Sequence, residues 1–134
     1  MSSSALKVSI QLLQEELPDL RGIYCFGSFG TEYETQESDL DLAILPASPM
    51  NSLDRWQLQE KLAFQLKRDV DLVDLIKAST VFQWENLHSG QRLFTADKDS
   101  CDFFENFVDS AYLRLQESRQ GILEDSRQIY RGKK

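Results

Sequence analysis

With 134 residues, the chain has the size of one domain and is too short to add a separate acceptor-binding domain. Its formal net charge of -7 argues against direct nucleic-acid binding, because binding to a polyanion depends on clustered Lys and Arg side chains. No apolar run reaches the roughly 18 residues of a spanning helix, and the opening Met-Ser-Ser-Ser lacks the basic and apolar parts of a signal peptide. We therefore expect a cytoplasmic protein without membrane contact, with a single domain over residues 1–134.

The first half of the chain predicts one helix followed by two strands. Apolar residues recur at three- and four-residue spacing over residues 4–17, just ahead of Pro18, which indicates an amphipathic helix. Residues 23–26 and 38–45 are apolar runs that predict strands, and a glycine or a proline follows each run. The connection between these strands is too short for a crossover helix, so we expect a mixed sheet and not a doubly wound parallel one.

The middle of the chain predicts two further helices and two further strands. A helix over residues 52–67, capped by Ser52, precedes an alternating strand over residues 69–75. A short helix over residues 80–88 and a small strand over residues 92–94 come next. These elements alternate along the chain, as they do in folds where helices cover a sheet.

A long helix is predicted at the end of the chain. It fills most of residues 102–130, with a break near Gly121, so the segment from about residue 100 to 130 is expected to be helical. Taken together, the elements predict an α+β fold: a small mixed β-sheet flanked by helices, which we expect on one side of the sheet, with a long C-terminal helix.

Three aspartates on two of the predicted strands are the candidates for chemistry. Asp39 and Asp41 share one face of their strand because side chains alternate, whereas Leu40 points into the opposite layer. Asp71 lies in the middle of the next predicted strand and can approach the pair if the two strands are neighbours. Adjacent carboxylates repel unless a cation lies between them, and Mg²⁺ prefers such oxygen ligands. We therefore predict that these three aspartates are metal ligands and catalytic residues for Mg²⁺-assisted chemistry on a nucleotide.

The dipeptide Gly27-Ser28 ends the strand that precedes this pair. Glycine lets the backbone approach a phosphate without a side chain in the way, and Ser28 supplies a hydroxyl and an amide that can hold it. Each feature alone has an ordinary structural explanation, since Gly-Ser is usually a turn and Asp-x-Asp is usually a solvated strand face. Together they favour Gly27 and Ser28 as the phosphate contact and Asp71 as the base that takes the proton of an attacking hydroxyl.

The pattern of Gly27-Ser28, ten intervening residues and Asp39-Leu40-Asp41 resembles the signature of the DNA polymerase β-like nucleotidyltransferases. The resemblance extends to the strand around Asp71 and to the closing helix, and it is specifically to the minimal nucleotidyltransferases (MNT) of HEPN/MNT toxin–antitoxin systems. It implies a small mixed sheet flanked by helices, Mg²⁺ as cofactor, ATP as substrate and a HEPN ribonuclease toxin as partner. It further implies an antitoxin that transfers AMP to a tyrosine hydroxyl of the toxin and so neutralises it.

The chain departs from many relatives directly after Gly27-Ser28, where Phe29-Gly30-Thr31-Glu32 stands in place of basic residues. This departure shifts the triphosphate contact to the backbone amides of the dipeptide, to the metal, or to a cation elsewhere in the chain. The candidates for that cation are Arg55, Lys67 and Arg68.

Two other functions stay open at this point. One is a small-molecule nucleotidyltransferase of the antibiotic-modifying type, although such enzymes usually need an extra domain to hold the acceptor. The other is a non-catalytic antitoxin that acts by binding alone. A partner surface is predicted on the last helix, because the adjacent Phe103 and Phe104 cannot both face one core. Its further candidate members are Val108, Tyr112 and Leu115.

Overall fold

The protein, described by a computed structural model, has a defined backbone over residues 2–26 and 40–132 and defined side chains over residues 4–26 and 40–118. The elements of this described part follow the predicted order of helices and strands. They are α1 (Ser2–Glu16), β1 (Gly22–Phe26), β2 (Leu40–Leu45), α2 (Ser52–Leu66), β3 (Val70–Asp74), α3 (Thr80–Ser89), β4 (Gln91–Thr95) and α4 (Lys98–Gly132).

The four strands form one mixed sheet in the order β3-β2-β1-β4. β1 runs antiparallel to both β2 and β4, whereas β2 and β3 are parallel. α2 makes the crossover between the two parallel strands, which is the kind of connection that parallel neighbours require. The predicted mixed sheet is confirmed.

Helices cover both faces of this sheet, so the prediction that they lie on one side is wrong. Ile23 and Leu42 belong to a core beneath α1 and α2, whereas Tyr24 and Ala43 belong to a second core beneath α3 and α4. The physical reason is that β1 and β2 are apolar at nearly every position. A strand of that kind exposes apolar surface on both sides and needs a covering layer on each.

The N-terminus of α2 differs from the prediction in its capping residue. Asn51, not Ser52, is the cap: its backbone is extended and its side chain accepts a hydrogen bond from the Leu53 N–H at 2.7 Å. Asn and Ser are about equally favoured at this position. The backbone conformation therefore decided which residue does the capping.

α4 begins at Lys98, four residues earlier than predicted, and runs without a break to Gly132, so the predicted break at Gly121 is wrong. Asp97 stands before its first turn and accepts hydrogen bonds from the Ser100 hydroxyl (2.8 Å) and from the Ser100 N–H (3.2 Å). These two bonds lower the pKa of the Asp97 carboxyl. A single glycine inside a helix, such as Gly121 in α4, costs only about 1 kcal/mol and does not by itself end the helix. Among the described residues, no helix is long and apolar enough to cross a bilayer.

The outer edge of β3 is covered by side chains of α2. Arg55 donates to the Leu72 carbonyl oxygen at 2.8 Å, and the Leu72 N–H donates to the Gln59 side chain at 2.9 Å. Arg55 also donates to Gln59 at 3.2 Å, which joins the two contacts. Because an uncovered strand edge is open to pairing with other chains, this arrangement protects β3 and fixes α2 against it.

Asp74, the last residue of β3, is only 3% exposed and joins two loops. Its carboxylate accepts a hydrogen bond from the Met50 N–H at 2.8 Å, in the loop before α2. It also accepts one from the Ile76 N–H at 2.9 Å, in the turn after β3. A buried carboxylate is stable only with such donors, so these two bonds are the reason that this aspartate is tolerated in the interior.

We expect Asp74→Ala to lower the free energy of unfolding by about 3 kcal/mol, because hydrogen bonds to a charged group are each worth about 1.5–3 kcal/mol. Urea denaturation followed by circular dichroism measures this loss. Asp69→Ala, which removes an exposed carboxylate just before the same strand, is the control and should stay within about 0.5 kcal/mol of the parent. Equal losses in both variants would contradict the role given to Asp74.

Candidate functional site

Asp41 and Asp71 are direct partners in the register of the parallel strands β2 and β3. On the other side of β2, Asp41 is paired with Phe26, the last residue of β1. Partners in register project to the same face of a sheet, and neighbouring strands lie about 4.8 Å apart. The structure therefore places Asp41 and Asp71 side by side. The sequence predicted this proximity on the condition that their two strands are neighbours, and they are.

The two carboxylates differ from their strand neighbours in exposure. Asp41 is half-buried and Asp71 is exposed, whereas Leu40, Leu42 and Leu72 on the opposite face are buried. Alternation along each strand thus separates an apolar face from a carboxylate face. The pair is accessible to a ligand and stands on a closely packed layer that holds its position.

Three of the predicted site residues, Gly27, Ser28 and Asp39, lie outside the described residues, so their roles stay predictions. In sequence they adjoin described strands, since β1 ends directly before Gly27 and β2 begins directly after Asp39. Within residues 4–26 and 40–118, whose side chains the structure defines, no group of three or more His, Cys, Asp or Glu side chains is arranged to hold a metal. The described part of the predicted ligand set is the pair of Asp41 and Asp71.

α3 lies beside the row of register partners Phe26, Asp41 and Asp71. The ring of Phe82 meets the ring of Phe26 edge-on, with centroids 5.4 Å apart and an interplanar angle of 88°. The Ser79 hydroxyl caps the helix by accepting from the Phe82 N–H at 3.1 Å, which fixes where its first turn begins. The sequence does not identify Phe82 as a neighbour of the site, because periodicity shows only that such a residue faces a core and not which strand it contacts.

The three candidate cations have different surroundings in the structure. Arg55 is engaged by the edge of β3 through its bonds to Leu72 and Gln59. Lys67 is exposed and ends α2 in a left-handed conformation (φ 55°), and Arg68 follows it. This turn leads into the N-terminal end of β3, near Asp71, so the Lys67 turn and the carboxylates lie at the same end of the sheet.

The predicted partner surface on α4 is only partly exposed. Phe104 packs into the core beneath α3 and α4, whereas Phe103 is 73% exposed. Val108 is buried, so its predicted role in docking is wrong. Tyr112 stacks on Trp84 of α3, with ring centroids 4.2 Å apart, and therefore joins two helices of the same chain.

Residues 9–99 match the family described as polymerase beta nucleotidyltransferase. The chain is 40% identical over 116 residues to the protein adenylyltransferase MntA of Shewanella oneidensis, which covers 87% of this chain and 83% of that protein. It also resembles the crystal structure of a toxin–antitoxin with AMP-PNP, with a TM-score of 0.80, 38% identity and coverage of 90% and 96%. A tri-AMPylated Shewanella oneidensis HEPN toxin in complex with an MNT antitoxin matches with a TM-score of 0.80, 37% identity and coverage of 93% and 98%.

At low ionic strength and without divalent cations, we expect Asp71→Asn to raise the free energy of unfolding by about 0.5 kcal/mol, because like charges on facing strand positions are destabilising. The gain should shrink at about 1 M NaCl, where charges are screened within a few ångströms. Urea denaturation at both salt concentrations measures it, with Glu60→Gln on the exposed face of α2 as control. A loss of stability in Asp71→Asn would show that the carboxylate has net attractive partners.

Proposed function

Because this chain belongs to the polymerase β nucleotidyltransferase family, we propose that it is a protein adenylyltransferase that acts as an antitoxin. It transfers AMP from ATP to a tyrosine hydroxyl of a partner HEPN ribonuclease toxin, which neutralises the toxin. The observation that supports this most directly is the register of β2 and β3, which sets Asp41 beside Asp71. The MntA relative and the MNT antitoxin complexed with a tri-AMPylated HEPN toxin support the choice of reaction and partner.

We assign Asp39, Asp41 and Asp71 as metal ligands and catalytic residues, and Gly27 and Ser28 as the phosphate contact. Carboxylates on adjacent strands, one half-buried and one exposed, suit Mg²⁺, which binds one or two carboxylates and keeps positions for water and phosphate oxygens. When bound, Mg²⁺ would neutralise the triphosphate and orient it for in-line attack. The fit of these donors to the ion supports the proposed Mg²⁺ dependence.

In the proposed reaction the tyrosine oxygen forms a bond to the α-phosphorus of ATP. The bond from that phosphorus to the oxygen bridging to the β-phosphate breaks, and pyrophosphate leaves with this oxygen. Asp71 is exposed and can meet an incoming acceptor, so we assign it as the base that takes the hydroxyl proton. We propose a single domain over residues 1–134, to which the toxin brings the acceptor, and a cytoplasmic location because the reaction consumes ATP.

The test is the intact mass of the toxin after co-expression with this chain or with its Asp41→Asn and Asp71→Asn variants. We expect the toxin to gain mass in whole AMP units with the parent chain. The rate of transfer, measured with purified proteins and labelled ATP, should fall by at least about a hundredfold in each variant, because each loses a metal ligand. Glu60→Gln, which removes a carboxylate on the other face of the sheet, should transfer AMP at the parental rate.

Two results would contradict the proposal, and each would favour one of the alternative functions. A toxin that is neutralised yet unmodified by the parent chain and by both variants would show an antitoxin that acts by binding alone. A labelled product formed from ATP and an aminoglycoside panel, without modification of the toxin, would show a small-molecule nucleotidyltransferase.

A further inference from the structure

α4 carries apolar side chains on two faces, and the core of the domain uses only one of them. On the inner face, Cys101 and Val108 are completely buried and Phe104 packs against the second core. On the outer face, Phe103 and Phe107 are 73% and 51% exposed. These two phenylalanines lie one helical turn apart and form one ridge, which we call the phenylalanine ridge. Large apolar side chains grouped on a surface are typical of a protein interface.

Three acidic residues of α4 point away from this ridge, toward β4 and α3. Asp102 and Glu105 accept hydrogen bonds from Arg92 of β4. The Asp109 carboxylate lies 2.8 Å from the Nε2 atom of His88, in the last turn of α3. These contacts hold α4 on the domain and keep three negative charges on its flank, so the phenylalanine ridge itself stays apolar.

A cavity of about 450 Å³ opens beside Phe103. Its walls are mostly apolar and include Leu45 at the end of β2, Ile76 after β3 and Phe104 of α4. Side chains that anchor one protein on another are commonly large apolar or aromatic groups that fill such a pocket. The phenylalanine ridge and the cavity together therefore suit a partner surface that is apolar and carries one large projecting side chain.

α4 follows β1 from its start to its end, so the phenylalanine ridge leads toward the carboxylate pair. Before the start of β1, the Cys101 thiol donates to the Arg21 carbonyl oxygen at 3.3 Å. Eight residues later, Asp109 contacts His88, and the residue that ends α3 lies close to the backbone near the end of β1. That end is paired with Asp41. A protein docked along the ridge therefore reaches the edge of the sheet that carries the carboxylates.

We propose that the phenylalanine ridge and the adjoining cavity are the docking surface for the toxin. This inference rests on the proposed function, in which a partner protein brings the acceptor hydroxyl to this chain. In the relative described above, the MNT antitoxin is in complex with a toxin that is already tri-AMPylated. A complex that contains the modified toxin needs contacts apart from the reacting groups, and a ridge beside the catalytic edge provides them.

The first test compares the double variant Phe103→Ser/Phe107→Ser with the matched control Phe64→Ser. Phe64 lies on α2, under the other face of the sheet, and is 84% exposed. Affinity for the purified toxin, measured by calorimetry without ATP, should fall at least about a hundredfold in the double variant, because two interface anchors are lost. The control should bind within about twofold of the parent. All variants should unfold near the parental temperature, since the replaced side chains are exposed.

A second measurement does not depend on loss of binding. A photoreactive phenylalanine analogue at position 107 should form a covalent adduct with the toxin on irradiation, whereas the same analogue at position 64 should form none. In AMP transfer, the double variant should raise the KM for the toxin at least about tenfold and change kcat less than about threefold. Its affinity for AMP-PNP with MgCl₂ should stay within about twofold of the parent, because the carboxylates are unchanged.

Two outcomes would overturn the docking surface. One is parental affinity for the toxin in the double variant, together with a cross-link from position 64 and none from position 107. The other is a free chain that sediments as a dimer and becomes a monomer in the double variant, with parental affinity for the toxin, which would assign the ridge to a second copy. A parent chain that binds the toxin through the ridge but transfers no AMP would support the docking surface and overturn the proposed function.

Discussion

The register of the parallel strands β2 and β3 is the constraint on which the rest of the structure depends. Backbone hydrogen bonds fix it at both ends, from the Leu40 N–H to the Asp69 carbonyl and from the Leu75 N–H to the Ile44 carbonyl, each at 2.9 Å. A shift of one residue would turn Asp71 to the opposite face, because side chains alternate. α2, which connects the two strands and covers the outer edge of β3, holds the same register from outside the sheet.

This register places two negative charges side by side, and the opposite face of the same strands compensates for them. Leu40, Leu42 and Leu72 are completely buried beneath α1 and α2. Burying side chains of this size stabilises the fold by about 1.5–3 kcal/mol each, which exceeds the repulsion between the carboxylates of Asp41 and Asp71. An apolar layer thus holds a carboxylate face that would be unfavourable by itself, and a ligand with positive charge would relieve it.

A second locally unfavourable feature is the buried amide of Asn86, for which the described residues provide no hydrogen-bond partner. Locally unfavourable features in proteins concentrate where a ligand is expected, and well-packed surroundings keep them in place. Here α3 is held against the sheet by the Phe82–Phe26 contact and by the close approach of Gly90 to Cys25. Both unfavourable features, the carboxylate pair and this amide, lie near the end of β1.

The sequence by itself determined the kind and order of the elements and the face on which each aspartate stands, because these follow from periodicity and from alternation along one strand. Only the tertiary structure decided that β2 and β3 are neighbours, which brings Asp41 to Asp71, and that helices cover both faces of the sheet. It also decided that the buried Gln83 amide donates to Leu75, whereas the Asn86 amide has no partner among the described residues. Contacts of this kind join residues distant in sequence, and no local pattern specifies them.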